Sequence, residues 1–202
     1  MSYDSAISAL SNDALKFVKD NYVIGLGSGR AATTLVKSLA LLIKEKKFNI
    51  KGVPTSLQIK LIAEKVGIPV VESDQVDHID VVFDGADQID SQKFVIKGGG
   101  GALLRENILF SLAKKIVVMA DKTKFVKNFT RAVPVEIHPL ARNSVANSIQ
   151  KLGGKATLRS HLLGFFKIFI PSVVSELGNS SFRDLISFLA SSGEQEILSL
   201  VV

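Results

Sequence analysis

The chain has 202 residues, 47% of them hydrophobic, which is enough apolar material for one large domain, or for a domain and a smaller companion, and excludes a disordered chain. It contains no cysteine, so disulfide frameworks and thiolate chemistry are excluded. Its net charge of +6 suits a small anion, while the lysines are too dispersed for the basic stripe of a nucleic-acid reader, so no nucleic-acid partner is expected.

The N-terminal MSYDSAISALSNDAL lacks the basic-then-apolar order of a signal peptide. The longest apolar run, LLGFFKIFIP, is too short to span a bilayer and holds Lys167. The expectation is a cytoplasmic protein with no membrane partner.

From Tyr22 the chain alternates short apolar runs with helical patterns. YVIGLG reads as a strand, and RAATTLVKSLALLIKEKK as a helix with Ala32, Leu35, Val36, Leu39, Leu42 and Ile43 on one face. NIKGV is a strand and SLQIKLIAEKV a helix. IPVV, IDVVFD and KFVIK read as further strands, ALLRENILFSLA as a helix and KIVVMA as a strand. This βαβ rhythm predicts an α/β fold, a Rossmann-like parallel sheet with helices on both faces and its strand-to-helix loops on one edge. Ligands bind at the carboxyl ends of the strands in such sheets.

The rhythm changes near Pro134. PVEIHP, SVANSIQKLG, KATLR, FFKIFI, FRDLISFLA and QEILSLVV give strand, helix, strand, strand, helix, strand, the order of a ferredoxin-like α+β lid. The expected domains are residues 1–129, catalytic, and 130–202, the lid.

The carboxyl-edge loops of the first sheet are then GLGSGR, VPTS, DGADQID, KGGGGALLREN and ADKTK. GLGSGR opens a helix, so its N–H groups can meet an anion with no side chain intervening. It is neither a dinucleotide fingerprint, because no acid ends the next strand, nor a Walker loop, because no Gly-Lys-Ser/Thr follows. The glycines after Lys97 separate a strand from an apolar helix, where close backbone approach to a ligand explains them better than a linker does. Glu106 falls in the first turns of that helix; an ordinary first-turn acid or a partner for Arg105 is the plainer reading.

Asp84, Asp87, Lys97 and Glu106 thus come from adjacent loops. Three carboxylates and an ammonium about one cleft can move protons and hold developing oxyanion charge. Asp90 reads as solvated. His78, His138 and His161 show no metal-ligand spacing, and His138 before Pro139 reads as structural, so no metal or other cofactor is expected.

Together these stretches resemble type A ribose-5-phosphate isomerase, convincingly over about residues 10 to 160. The motifs are GLGSGR, GVPTS, DGAD at Asp84 to Asp87, KGGGGALLRE, ADKTK, PVEIHPLA and KLGGKATLR. The resemblance implies a cofactor-free aldose–ketose isomerase that interconverts ribose 5-phosphate and ribulose 5-phosphate through an enediolate. It makes Glu106 the general base and Asp84 and Asp87 aids to ring opening and hydroxyl proton transfer. Gly85 and Ala86 between those aspartates would also bind substrate, and Lys97 with Gly98, Gly99 and Gly100 would hold sugar oxygens. Ser28, Gly29, Arg30, Ala31 and Lys124 would bind substrate, largely at its phosphate. It also implies a homo-oligomer, dimer or tetramer.

The chain departs from the family's pattern. Arg30 and Ala31 stand where hydroxyls are usual, Gln88 where DGADE has an acid, and Asn107 where a lysine follows Arg-Glu. SHLLGFF replaces a TDNGN-like segment, and the strand that returns to the first sheet is expected to be missing. Two other readings follow. One is a catalytically impaired homologue acting as a sugar-phosphate-binding protein. The other is a deaminase of amino-sugar phosphates, which would want a histidine beside the acids, whereas His78 precedes its strand.

Overall fold

The computed structural model describes residues 3–151, 154–159, 166–170 and 196–201. In chain order the elements are α1 (Tyr3–Leu15), β1 (Val23–Leu26), α2 (Gly29–Lys46), β2 (Lys51–Pro54), α3 (Leu57–Lys65), β3 (Val81–Gly85), β4 (Gln88–Ile89) and β5 (Val95–Ile96). They continue with α4 (Leu103–Leu112), β6 (Lys115–Ala120), β7 (Val133–Ile137), α5 (Arg142–Lys151), β8 (Thr157–Arg159), β9 (Phe166–Ile170) and β10 (Glu196–Val201). They form two compact units that interleave along the chain instead of meeting at one cut. The first takes the chain through Ala86, then Leu104–Lys124 and β10. The second takes Asp87–Leu103 and the chain from Phe125 through β9.

The first unit is built on a five-stranded parallel sheet in the order β10-β6-β3-β1-β2. The runs VIGL, VVFDG and KIVVMA are buried along most of their length, as strands covered on both faces must be. The face of α2 that packs inward carries Ala32, Leu35, Val36, Leu39 and Ala40, the spacing that one helical stripe requires. Leu26, Leu35, Leu39, Ile59 and Phe83 are almost completely buried in one core, each contributing about 1.5–3 kcal/mol.

Two expectations for this sheet are corrected. IPVV makes only an isolated bridge from Val70 to Gly52. QEILSLVV does not complete the smaller unit: its residues 196–201 form β10, parallel to β6 from Glu196↔Lys115 to Val201↔Ala120. The strand expected to be missing from the first sheet is therefore present. Its apolar run serves a parallel sheet as well as a lid, so composition alone did not decide between them.

At the amino edge, Asp80 ties the start of β1 to the end of α4. Its carboxylate accepts from Val23 N–H at 2.9 Å and from Lys114 Nζ at 2.9 Å, with His78 Nε2 3.3 Å away. Burial opposes ionisation of Asp80, but the Lys114 hydrogen bond and charge, with the Val23 amide, outweigh it and hold the carboxyl below its ordinary value. A lowered native pKa gives stability that is present above the unfolded value and is lost as pH falls through the native one. Asp80→Asn is therefore expected to cost about 1 kcal/mol near pH 7, because Lys114 is exposed and screened. The gap between wild type and variant in urea midpoint should shrink towards about pH 3. A gap of unchanged size at low pH would show that the carboxylate charge is not its source.

The second unit holds two small antiparallel sheets. β7, β9 and β8 pair in that order, with α5 between β7 and β8 in sequence. This is the β-α-β-β start of the expected ferredoxin-like unit. Ile137 and Ile149 form its small core with Val135, Val145 and Ala156. FRDLISFLA lies outside the described residues, as do His161 and most of SHLLGFF. His138 has the structural role expected of it, its Nδ1 accepting from Leu140 N–H at 3.3 Å.

KFVIK is the third correction. It supplies β5, which pairs antiparallel with β4 in a two-stranded ribbon of the second unit and does not enter the parallel sheet. Asp90 sets that turn: its Oδ1 accepts from Gln92 N–H and Phe94 N–H, each at 2.9 Å, while Lys93 takes a left-handed φ of 66°. The link from β4 to β5 is too short for the crossover that parallel strands need.

Candidate active site

The strand order reverses between β1 and β3. β2 flanks β1 on one side, while β3 and then β6 lie on the other. The chain crosses from β1 to β2 in one direction and from β3 to β6 in the other, and open parallel sheets place their ligands at such a point.

In the first unit the loops leaving β1 and β3 meet around Asp84. Gly27 N–H donates to the Phe83 carbonyl at 2.8 Å. A Cβ on Gly27 would lie 2.5 Å from Asp84 Cγ and Oδ1, so only glycine lets the turn close on the carboxylate. Asp84 Oδ1 accepts from Gly85 N–H at 2.7 Å and from Ser28 N–H at 3.3 Å. Ser28 Oγ donates to Glu106 Oε1 at 2.7 Å. Asp84 is 1% exposed and Glu106 4%, which is rare for carboxylates unless neighbours hold them.

Each of these groups is placed by local rules. Ser28 has the extended conformation of an N-cap for α2, yet its side chain makes no capping bond. Its hydroxyl is committed to Glu106, so it does not occupy the first-turn N–H groups of α2, where the helix dipole favours an anion. Glu106 stands in the first turn of α4. It is not a partner for Arg105, which is exposed and lies 3.6 Å from Glu72.

Gly29 and Arg30 are exposed in the first turn of α2, with Ala31 half-buried beside them. Ala86 follows Gly85 at the end of this stretch. Lys124 ends a short 3₁₀ turn after β6, its N–H donating to the Asp121 carbonyl at 3.0 Å. Burial opposes ionisation of Asp121, but the Thr123 hydroxyl and amide and the Lys124 charge hold its carboxyl below the ordinary value. The hydroxyls of VPTS serve the fold: Thr55 Oγ1 donates to the Leu26 carbonyl at 3.0 Å, and Ser56 Oγ caps α3 by accepting from Ile59 N–H at 3.3 Å. His78 pairs with Asp80 before β3, away from Asp84 at its other end, so His78 does not supply the histidine that the deaminase reading wants.

The second unit carries Asp87, Lys97 and the glycine loop. Asp87 Oδ2 accepts from Gly99 N–H at 2.8 Å, and a Cβ on Gly99 would meet both carboxylate oxygens at 2.8 Å. Gly98 takes a φ of +91°, open to glycine at little cost, and its carbonyl accepts from Gly101 N–H at 3.1 Å, which folds the loop into a tight turn. Lys97 is half-buried just after β5, and Gly100 is exposed. Sequence reasoning missed Gly27, Thr130 and Arg131. Gln88 it met only as a departure from pattern, yet its buried amide bonds Thr130 and Arg131. These pairings join distant parts of the chain, and no local periodicity announces them.

The fold of the first unit and its buried Asp84 and Glu106 define an α/β protein with a carboxylate pair at the switch point of a Rossmann-like sheet. Residues 51–179 match the family model described as ribose 5-phosphate isomerase A (phosphoriboisomerase A), and the chain belongs to that family. A ribose-5-phosphate isomerase A of Trichodesmium erythraeum is 42% identical over 149 residues. That match takes in 72% of this chain and 63% of the relative, so the chain spans less than two thirds of the relative's length. The ribose 5-phosphate isomerase A structure from Methanocaldococcus jannaschii superposes with a TM-score of 0.85 at 29% identity, over 99% of this chain and 95% of that one. A D-ribose-5-phosphate isomerase in complex with phospho-erythronic acid gives 0.83 at 30% identity, over 100% and 96%.

Proposed function

We propose that the chain interconverts ribose 5-phosphate and ribulose 5-phosphate, as an intramolecular oxidoreductase of the non-oxidative pentose phosphate branch. The observation that carries this reading is the buried Glu106, hydrogen-bonded to Ser28 in the unit that also buries Asp84. In this reading Glu106 takes the C2 proton of the open-chain aldose. The electron pair forms the C1–C2 double bond of an enediolate, and the same proton returns to C1 while a hydroxyl proton passes from O2 to O1. Asp84 and Asp87 open the sugar ring and carry hydroxyl protons. Lys97 and the glycines after it hold the sugar oxygens, the ammonium facing the developing negative charge. The first turn of α2, with Lys124, takes the phosphate.

The family and the complex of a relative with a phosphorylated sugar acid support a sugar-phosphate substrate. A cytoplasmic homo-oligomer that binds neither nucleic acid nor membrane completes the reading, and no helix among the described residues is long and apolar enough to cross a membrane. The test is incubation with ribose 5-phosphate and detection of ketose. Tight binding of the sugar phosphate with no ketose formed would replace the isomerase by the impaired, binding-only homologue.

Arg30 refines the phosphate site. An arginine offers a planar fork of charged donors where the family's usual hydroxyl offers one neutral bond. Arg30→Ser is expected to raise KM for ribose 5-phosphate roughly threefold to tenfold and change kcat less, because the phosphate does not react. Inhibition by 5-phosphate analogues should weaken more than inhibition by unphosphorylated sugars. An unchanged KM at low ionic strength would leave the phosphate to Lys124 and the backbone amides.

A further inference from the structure

We infer that Gln88 and Arg131 are positioning residues that fix the Asp87 carboxylate, an inference that rests on the proposed proton-handling role of Asp87. Gln88 stands where the family's pattern has an acid, yet it is 7% exposed and hydrogen-bonded through both amide atoms. Its Oε1 accepts from Thr130 N–H and Arg131 N–H, each at 3.0 Å, and its Nε2 donates to Thr130 Oγ1 at 2.7 Å. One side chain thus pins two successive residues of a segment more than forty positions away, all within the second unit. The pinned segment delivers a cation: Arg131 Nη1 lies 3.4 Å from Asp87 Oδ1, and Gly99 N–H holds the other oxygen at 2.8 Å.

The arrangement has a physical purpose. One donor on one oxygen leaves a carboxylate able to turn about its Cβ–Cγ bond, whereas donors on both oxygens fix its plane. An exposed arginine pairs weakly on its own, because ordering a long side chain offsets much of the attraction. Anchoring its backbone through a buried amide removes part of that cost. Gln88 therefore acts through Arg131, and Arg131 through Asp87. A glutamate at position 88 could still accept from both N–H groups and from the Thr130 hydroxyl, so the departure from DGADE changes the clamp's chemistry and keeps its geometry.

The experiment is a set of kcat/KM measurements for ribose 5-phosphate with full-length variants in two backgrounds. Arg131→Ala is expected to lower kcat/KM roughly fivefold in wild type, the scale of one exposed pair, and by less than about twofold in Asp87→Asn. Gln88→Leu should lower it similarly, and Gln88→Glu should restore most of it. Far-ultraviolet circular dichroism and melting temperature identify a variant that merely fails to fold, in which case Arg131→Ala and Gln88→Glu decide alone. Equal losses from Arg131→Ala in both backgrounds, or no loss in either, would overturn the inference and leave the isomerase reading standing. A wild type that forms no ketose overturns that reading and this inference with it.

Discussion

Glu106→Gln is expected to lower kcat by a factor of about 10² to 10⁴ and leave the fold in place, because it removes the proposed general base and keeps its shape. Glutamine retains an amide oxygen that can accept from Ser28 Oγ, as Glu106 Oε1 does at 2.7 Å. The link between the first turns of α2 and α4 therefore survives, and the melting temperature should stay close to wild type. KM should move little, since in the proposed reading the substrate is held at its phosphate and hydroxyls and not by the base. A purely structural Glu106 predicts the opposite pattern, a lowered melting temperature with kcat kept per folded molecule. Steady-state kinetics with a thermal melt on the same sample separate the two, and a kcat near wild type would remove Glu106 from the base role.

How much of this was legible in the sequence depends on the distance over which each feature is determined. The parallel sheet was legible because its strands are apolar runs buried on both faces, as VVFD and KIVVMA are, and because α2 repeats its apolar residues at helical spacing. Asp84 and Glu106 were legible as neighbours because right-handed crossovers put strand ends on one edge, and in the structure Ser28 bonds both of them. Misreadings arose where the chain chooses between partners of equal local merit. KFVIK has the composition of a parallel strand, yet the Asp90 turn folds it back on β4. EILSLV suits a lid or a sheet edge, and only pairing with β6 decides. The Gln88 clamp could not be seen at all, since a glutamine in an acidic loop reads as solvated until its distant partner is known.

Gly27→Ala is expected to damage both stability and turnover. In the sequence Gly27 is one of three glycines in GLGSGR and has no distinguishing mark. In the structure the missing side chain makes room for Asp84: an added Cβ would lie 2.5 Å from the Asp84 carboxylate carbon and would also overlap the Phe83 carbonyl oxygen. Both obstacles belong to β3, which is buried and paired on both sides, so the strand cannot withdraw. The turn after β1 must move instead. That movement breaks the Gly27 N–H bond to Phe83 and lengthens the already long 3.3 Å bond from Ser28 N–H to Asp84. Overpacking of this kind costs about 1–3 kcal/mol in stability. The catalytic loss should be larger, because Ser28 carries the hydroxyl that touches Glu106 and begins the helix proposed to hold the phosphate, and a displacement of about 1 Å can cost roughly 10² in rate. Gly100→Ala is the control: a Cβ there meets nothing within 4 Å, so stability should be unchanged. If Gly27→Ala folds with wild-type stability and turns over ribose 5-phosphate within about twofold of wild type, the close approach of this loop to Asp84 does not organise the site.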